Sequence, residues 1–338
     1  MEYIPLKEVC KINMGQSPDS SSYNYNKDGI PFFQGNADFG EKYPITRIWC
    51  SNPTKVAQKN DILISVRAPI GAVNYAKEES CIGRGLAALT PNGNKVSLEF
   101  IYWLLKGKKE ELNNKGTGST FKAIGRKVLE EIMVPNIELS QQYKYAEILE
   151  RNFEIIQKYE QELELLDNLI KARFVEMFGE PIRNTQNRKT TEFINVVKMQ
   201  RGFDLPVQER RQDGGIPVYG SNGALDHHNV AKVQGGGVIT GRSGTIGKVF
   251  YTERDYWPLN TSLFSVDTHC NNVIYLAYLI EMFDLSRFVE GTGVPTLNRN
   301  MFHNKQIIDV ELTEQNQFAA FVRQVDKSKV VVQKYYKI

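Results

Sequence analysis

An internal duplication is the feature that most constrains how this chain of 338 residues can fold. Residues 64–67, 100–105 and 116–118 recur as residues 239–242, 275–280 and 291–293 at a spacing of 175, and residues 30–33 recur as 216–219 at a spacing of 186. Similarity repeated over such a length predicts two copies of one folded module. Two copies favour a target that has two equivalent parts.

The composition allows well-packed cores and predicts no membrane span. Hydrophobic residues make up 41% of a chain that is long enough for two or three domains. No run of eighteen apolar residues occurs, and the N-terminus lacks the basic and apolar regions of a signal peptide. Four cysteines lie far apart, which favours reduced thiols in a cytoplasmic protein over a disulfide framework or a metal site.

A long helix is predicted over residues 138–178, which contain neither glycine nor proline. Apolar residues recur there at intervals of seven: Leu149, Ile156, Leu163, Ile170 and Met177. This period is typical of a coiled-coil seam. Ser140 is the expected N-cap, and Gly179 followed by Pro181 is expected to end the helix. The helix would span about 60 Å and would need a partner to cover its apolar stripe.

The C-terminal segment supplies the expected partner helix. Residues 311–315 repeat the pattern of residues 138–142, and Phe318, Val325 and Val332 again fall at intervals of seven. We expect the two helices to pair as an antiparallel coiled coil. The first of them carries nine acidic and five basic side chains, so it is not expected to contact a polyanion.

The segment before each helix is predicted to be a mixed α/β module. Short β-rich runs bounded by glycine and proline, such as residues 61–66 and 237–240, lie among many turns. One helix per module is predicted to follow the N-caps Ser97 and Asn272. Because helices do not alternate with strands, a twisted, partly curled sheet is expected rather than a doubly wound fold.

The predicted fold class is therefore α+β, with two repeated modules separated by long helices. The predicted segments are a first module (residues 1–137), the long helix (138–178), a second module (179–310) and a shorter helix (311–338). If the helices pair antiparallel, the modules would lie at opposite ends of a rod, related by a pseudo-two-fold axis.

The sequence carries no recognisable catalytic motif. Residues 241–248 resemble a phosphate-binding loop, but Arg242 stands where the first glycine is needed, and Val249 stands where serine or threonine must hold magnesium. A glycine-rich turn is the favoured interpretation. The four histidines are scattered or, in one adjacent pair, would face opposite sides of a strand, so they are interpreted as surface or packing residues. Neither a metal site nor a bound cofactor is expected.

Two arginines in equivalent positions are the first candidates for contact with nucleic acid. Arg67 and Arg242 each end a predicted strand and precede a turn, and Ser243 belongs to the second turn. An arginine placed in this way can bind guanine through two hydrogen bonds or grip a phosphate. A structural salt bridge in both copies would explain the repeat equally well, so the sequence leaves both interpretations open.

Two polar loops, residues 116–122 and 291–299, form the second candidate region. Cations lie in these loops or just after them: Lys122, Arg126, Arg299 and Lys305. Hydroxyl groups, amides and cations on such loops suit contacts with both phosphates and base edges. The alternative is that both segments are ordinary solvated loops.

The motifs of the two copies, taken in order, resemble those of a known family. Residues 14–18 and 29–38 in the first copy, and 200–203 and 215–223 in the second, resemble the opening of a target-recognition domain. The helix openings at residues 138–142 and 311–315 resemble the two repeated helical regions of the same proteins. The family is that of the specificity subunits of type I restriction-modification systems, and the resemblance covers essentially the whole chain.

This resemblance implies a non-catalytic subunit that reads double-stranded DNA. Each module would be a target-recognition domain for one half of a bipartite, asymmetric site. The paired helices would set the spacing and dock methyltransferase subunits, to which restriction subunits add. Methylation with S-adenosylmethionine and ATP-driven cleavage would belong to those partners, so this chain would need no cofactor. Readers placed one turn of DNA apart, about 34–36 Å, suit a helical spacer of this length.

Two other functions stay open on the sequence alone. One is a self-contained DNA-modifying enzyme, which would need an acidic metal cluster or a cofactor loop that we do not find in the sequence. The other is a duplicated coiled-coil scaffold for protein partners, which would show no affinity for DNA.

Overall fold

The chain forms two compact units, Met1–Ile155 and Ile156–Ile338, called here the first and second units. The computed structural model describes residues 2–118, 122–211, 213–290 and 295–336.

Short strands make up most of the first unit before its helices. The strands are β1 (Tyr3–Pro5), β2 (Cys10–Met14), β3 (Tyr23–Asn24), β4 (Ile30–Phe33), β5 (Ile48–Cys50), β6 (Val56–Ala57), β7 (Ile62–Ser65), β8 (Val73–Tyr75), β9 (Ser80–Ile82), β10 (Leu86–Pro91) and β11 (Met133–Pro135). The helices are α1 (Leu98–Gly107), α2 (Lys109–Asn114), α3 (Arg126–Glu130) and α4 (Leu139–Phe178). The long helix α4 begins in the first unit and continues into the second.

The strands of the first unit are divided among separate sheets. The central antiparallel sheet has the order β2-β10-β7-β8, and a second sheet, β3-β5-β4-β9-β6, contains the parallel pair β4 and β9. Strand β1 pairs with β11, with Tyr3 opposite Pro135, so both ends of the module lie side by side.

The expectation of one partly curled sheet is therefore wrong. The reason lies in the central sheet, which is buried on both faces. Successive side chains of a strand point to opposite faces. In β7, Ile64 joins the cluster that contains α1, whereas its neighbour Leu63 joins a separate cluster with Phe33 of the second sheet.

The second unit repeats the core of this arrangement. Its strands are β12 (Thr190–Glu192), β13 (Lys198–Arg201), β14 (Ile216–Gly220), β15 (Gly223–His228), β16 (Gly237–Gly241), β17 (Val249–Thr252), β18 (Trp257–Pro258), β19 (Ser262–Asp267), β20 (Val289–Glu290), β21 (Thr296–Leu297) and β22 (Gln306–Ile308). Its helices are α5 (Phe193–Val196), α6 (Val273–Phe283) and α7 (Leu312–Tyr336).

The sheet topology shows that the sequence duplication is a duplication of the fold. The sheet β13-β19-β16-β17 matches β2-β10-β7-β8 strand for strand. The antiparallel pair β12 and β22 matches β1 and β11, and the parallel pair β14 and β18 matches β4 and β9. The prediction of a fold that is not doubly wound is confirmed by this arrangement.

The predicted helix starts after Ser97 and Asn272 are confirmed. The hydroxyl of Ser97 accepts a hydrogen bond from the backbone N–H of Phe100 at 3.1 Å, and the Asn272 side-chain oxygen accepts one from Ile274 at 3.0 Å. Each cap satisfies an amide that the first turn of a helix leaves unpaired.

A buried glutamine ties the start of α1 to the start of α4. Gln142 is 1% exposed. Its Oε1 accepts from the backbone N–H of Ser97 at 2.9 Å, and its Nε2 donates to the carbonyls of Lys95 at 3.0 Å and Ile137 at 2.8 Å. Two of these bonds join the long helix to the segment that caps α1, and the third holds the residues just before α4.

The second unit has the same tie between α6 and α7. Gln315, also 1% exposed, accepts from the backbone N–H of Asn272 at 2.8 Å. Its Nε2 donates to the Asn271 side chain at 2.6 Å and to the Val310 carbonyl at 2.8 Å. The repeated helix openings of the sequence are thus explained by one repeated buried amide.

The helix α4 (Leu139–Phe178) matches the predicted range of residues 138–178 to within one residue, but its N-cap is not the predicted one. The helix ends at Phe178, and Gly179 follows with a φ of +75°, as the sequence predicted. At the other end Ser140 lies inside the first turn, and the Glu138 carbonyl accepts from the backbone N–H of Gln142 at 3.0 Å. The predicted N-cap at Ser140 is therefore wrong, because the buried Gln142 fixes an earlier start.

Candidate functional site

In each unit the end of a central strand lies beside the polar loop that follows the main helix. In the first unit the backbone N–H of Ala68, just after Arg67, donates to the Lys122 carbonyl at 3.0 Å. In the second unit the backbone N–H of Leu297 donates to the Arg242 carbonyl at 2.8 Å. The strand-end arginines and the polar loops are thus neighbours in both copies.

A groove of about 420 Å³ opens at this strand end in the first unit. It is lined by residues 34–38, residues 67–69 and Gly85. Arg67 is exposed, and no described carboxylate forms an ion pair with it. The Asp38 carboxylate accepts hydrogen bonds from the backbone N–H groups of Gln34 at 2.7 Å and Gly35 at 3.3 Å. These bonds fix the carboxylate to the loop that contains it. The lining mixes hydrogen-bond donors with acceptors.

The second unit has a groove of about 330 Å³ at the equivalent strand end. It is lined by Arg201, Arg242, Leu263 and residues 296–300. Within the described part of the chain, none of the three arginines Arg201, Arg242 and Arg299 forms an ion pair. The Arg242 guanidinium lies 3.5 Å from the carbonyl oxygen of Asn260. This lining is strongly cationic and contains no carboxylate.

The remaining candidate residues have different surroundings. Arg126 donates to the Glu130 carboxylate at 2.7 Å in an exposed ion pair. Lys122 and Lys305 are exposed, and Lys305 is not among the residues that line the groove of the second unit. Ser243 is half-buried, and its backbone N–H donates to the Thr261 carbonyl at 3.1 Å. The loop segments 119–121 and 291–294 lie outside the described residues.

The residues of the predicted helix seam divide into a buried and an exposed group. Ile170, Phe318 and Val325 are buried in one cluster, Met177 packs against it, and Val332 is buried as well. Leu163 is half-buried, whereas Leu149 and Ile156 are exposed. The apolar stripe of α4 is therefore covered near its C-terminal end and exposed at Leu149 and Ile156.

Sequence reasoning missed Arg201, which is the last residue of β13. The next residue, Gly202, packs so tightly that an added Cβ would lie 2.3 Å from the Leu259 carbonyl. Gly15 is under the same constraint after Met14, where a Cβ would lie 2.2 Å from the Gly83 carbonyl. Both copies require glycine at this position. The sequence signal for Arg201 was therefore a cation directly before that required glycine.

His303 has a structural role, as the sequence interpretation proposed. Its Nε2 accepts a hydrogen bond from the backbone N–H of Met199 at 3.1 Å, so the ring must be neutral at that nitrogen. Burial lowers the pKa of His303 below its ordinary value of 6.5, and the positive charges of Arg299 and Lys198 lower it further.

This depressed pKa predicts a loss of stability in mild acid. The unfolded chain binds a proton on this histidine at a higher pH than the folded chain does. The contribution of His303 is therefore complete above about pH 6.5 and is lost as the pH falls through the folded-state pKa. We expect the free energy of unfolding, measured in urea between about pH 7.5 and 5, to fall less steeply in His303→Gln than in the parent chain. Parallel curves for the two proteins would refute this assignment.

The described residues offer no group of three His, Cys, Asp or Glu side chains that could hold a metal ion. No helix within them is both long and apolar enough to cross a membrane.

Comparison with known proteins gives a consistent result. A family model described as the type I restriction modification DNA specificity domain matches residues 1–165 and 183–335. The putative type I restriction enzyme MjaX specificity subunit of Methanocaldococcus jannaschii is 44% identical over 165 residues, which are 49% of this chain and 39% of that protein. The MjaIX specificity subunit of the same organism is 26% identical over 194 residues, 54% of this chain and 45% of that protein. The matches thus span less than half of each relative.

One solved structure resembles the fold over nearly the whole chain. It is the S subunit of a type I restriction-modification system from M. genitalium, with a TM-score of 0.63. The alignment covers 99% of this chain and 92% of that one at 16% identity. At this identity the likeness concerns the fold alone.

Proposed function

The chain belongs to the type I restriction modification DNA specificity family, and from this membership we propose that it selects the DNA sequence on which a restriction-modification complex acts. In this proposal each unit reads one half of a bipartite, asymmetric site on double-stranded DNA. The chain itself is not an enzyme, and methyltransferase and restriction subunits carry out the chemistry.

The observation that carries this proposal is a groove beside the equivalent strand-end arginine of each unit, Arg67 or Arg242, with a different loop as its lining in each. The first groove combines Arg67 with Gln34, Asn36 and Asp38, whereas the second contains three arginines. Equal placement supports two equivalent contacts with one duplex. Unequal linings support unequal contacts with the two half-sites, because base edges and phosphates are bound by different sets of donors and acceptors.

We further propose that α4 and α7 pair as an antiparallel coiled coil that sets the spacing of the half-sites. The proposal is supported by contacts at two levels. Phe174 of α4 lies with its ring centroid 5.4 Å from that of Phe318, near the start of α7. Further along α7, Lys329 forms an ion pair with Asp167 at 2.6 Å. The exposed stripe around Leu149 is the surface on which methyltransferase subunits would dock.

The function is tested by selecting duplexes from a random library with the full chain and its methyltransferase partner. The expected product is a motif with two separated parts. Replacing Arg67 with alanine is expected to lower the preference for the correct base in one part only, by about 1–3 kcal/mol, since a two-bonded arginine contact discriminates between bases by that amount. The measurement is the dissociation constant for the selected duplex and for single-base variants of it.

The matched control is Lys108→Ala, which removes a cation that pairs with Glu111 at 2.7 Å and lines neither groove. It is expected to leave the selected motif unchanged. Binding of Arg67→Ala that is weakened equally on every sequence would contradict base reading by Arg67. The wild-type chain is also incubated alone with DNA, magnesium and S-adenosylmethionine; turnover would identify an enzyme, and a complex without DNA affinity would identify a scaffold.

A further inference from the structure

One pair of equivalent arginines has different surroundings in the two units. Arg126 and Arg299 are each the first residue of a short helical turn, and each precedes the final strand of its unit by seven residues. Four residues further on, the first unit has Glu130 and the second has His303. Glu130 pairs with Arg126 at 2.7 Å, whereas the His303 ring accepts from a backbone amide. The substitution therefore leaves Arg299 without the carboxylate that neutralises its counterpart.

A second difference adds another cation to the same groove. Strand β2 ends in Met14 and the matching strand β13 ends in Arg201, each directly before the tightly packed glycine of its copy. Arg201 lines the groove together with Arg242 and Arg299. Among the described residues, three guanidinium groups without an ion pair thus line the second groove, whereas Arg67 is the one arginine in the lining of the first.

The positive charge of this cluster affects the neighbouring His303. Besides burial, the charges of Arg299 and Lys198 lower the pKa of His303. Three like charges within one groove repel each other, and no described carboxylate offsets them, so an anion that enters the groove relieves this repulsion. A guanine edge accepts two hydrogen bonds from one arginine and has no net charge, whereas a phosphate carries a full charge and several acceptor oxygens.

We propose that Arg201, Arg242 and Arg299 together form a clamp for the phosphate backbone of DNA, which makes Arg201 a DNA-contacting residue of the second unit. The clamp rests on the proposed function, and it gives the grooves at Arg67 and Arg242 different roles. The groove at Arg67, with mixed donors and acceptors, contacts base edges. The groove at Arg201 holds the duplex in register and is indifferent to sequence.

The test measures how DNA binding depends on salt. Each phosphate contact releases counterions and contributes about 0.9 to the slope of the logarithm of affinity against the logarithm of salt concentration. Arg201→Gln in the full chain, bound to its methyltransferase partner, is expected to reduce that slope by about 1 and to weaken binding several-fold on selected and random duplexes alike. Arg201→Lys keeps a positive charge and is expected to retain a slope close to that of the parent chain.

Arg299→Gln and Lys108→Gln form the matched pair of this experiment. The first is expected to behave like Arg201→Gln. The second is expected to leave the slope unchanged, because Lys108 pairs with Glu111 at 2.7 Å and lines neither groove. The thermal midpoint of each variant is measured beforehand, and Arg201→Lys separates loss of charge from loss of fold. An unchanged slope in Arg201→Gln, or weakening confined to the selected duplex, overturns the clamp.

Further outcomes distinguish the clamp from a site for a small anion and from a failure of the proposed function. Inorganic phosphate is titrated into the wild-type chain without DNA. The wild-type chain could bind phosphate with a sub-millimolar dissociation constant, and Arg201→Gln could abolish this binding without changing the DNA salt slope. That result would assign the groove to a small anion and overturn the clamp. If the wild-type complex binds no duplex at all, the proposed function fails together with the clamp. If the wild-type complex binds a bipartite site and Arg201→Gln does so with the same slope, only the clamp fails.

Discussion

Replacing Phe174 with alanine is expected to lower the free energy of unfolding by about 3–5 kcal/mol. The side chain is fully buried, and its ring centroid lies 5.0 Å from that of Phe178, 5.4 Å from Phe318 and 5.9 Å from Tyr275. These neighbours belong to α4, α7 and α6, so one cavity would loosen three helices together. Close packing leaves little room for such a cavity to collapse.

Urea unfolding of the two proteins measures this loss directly. The matched control is Leu165→Ala, which removes an apolar side chain from the same helix at a position that is 60% exposed. We expect the control to change stability by less than about 0.5 kcal/mol, as surface substitutions usually do. A loss below about 1 kcal/mol in Phe174→Ala would mean that the three helices do not share a tightly packed cluster.

The second large effect is expected at the buried glutamines. Gln142→Leu and Gln315→Leu should each lower the free energy of unfolding by about 2–4 kcal/mol, because every buried polar group left without a partner costs about 1–3 kcal/mol. Leucine has a similar volume, so the loss reports the three hydrogen bonds rather than a cavity. One of the groups left unpaired is the backbone amide of the helix cap, Ser97 or Asn272.

The duplication provides an internal check on this experiment. Gln141→Leu and Gln317→Leu alter exposed glutamines on the same two helices, and we expect them to be nearly neutral. Hydrogen exchange should locate the loss of protection around α1 in the Gln142 variant and around α6 in the Gln315 variant. Equal stability of parent and glutamine variants would show that the bonds do not hold each module to its helix.

Elements whose formation depends on local sequence were predicted well. The absence of glycine and proline, together with the seven-residue period of apolar residues, predicted α4, and Gly179 predicted its end. Ser97 and Asn272 predicted the starts of α1 and α6, because a capping side chain is close in sequence to the backbone amides whose hydrogen bonds it accepts. The error at Ser140 has the opposite origin: the start of α4 depends on bonds from Gln142 to residues that lie more than forty positions away in the chain.

The candidate site was predicted in part, for a similar reason. Arg67 and Arg242 were found because they end strands that are visible in the sequence. Arg201 was not found, because its place in the groove depends on the pairing of β13 with β19 and on the loop 296–300. The pairing of Arg126 with Glu130 follows from their spacing of four on one helix turn, and the sequence alone could have indicated it.

The pairing of the first and last strands of each unit has a consequence for how such proteins diversify. Because Tyr3 lies opposite Pro135, and Thr190 opposite Ile308, each module leaves and rejoins the rest of the chain at one point. A gene segment between these strands is a cassette with adjoining ends. Recombination at its borders is expected to exchange a whole module in one event while the buried glutamine and the long helix stay as they are.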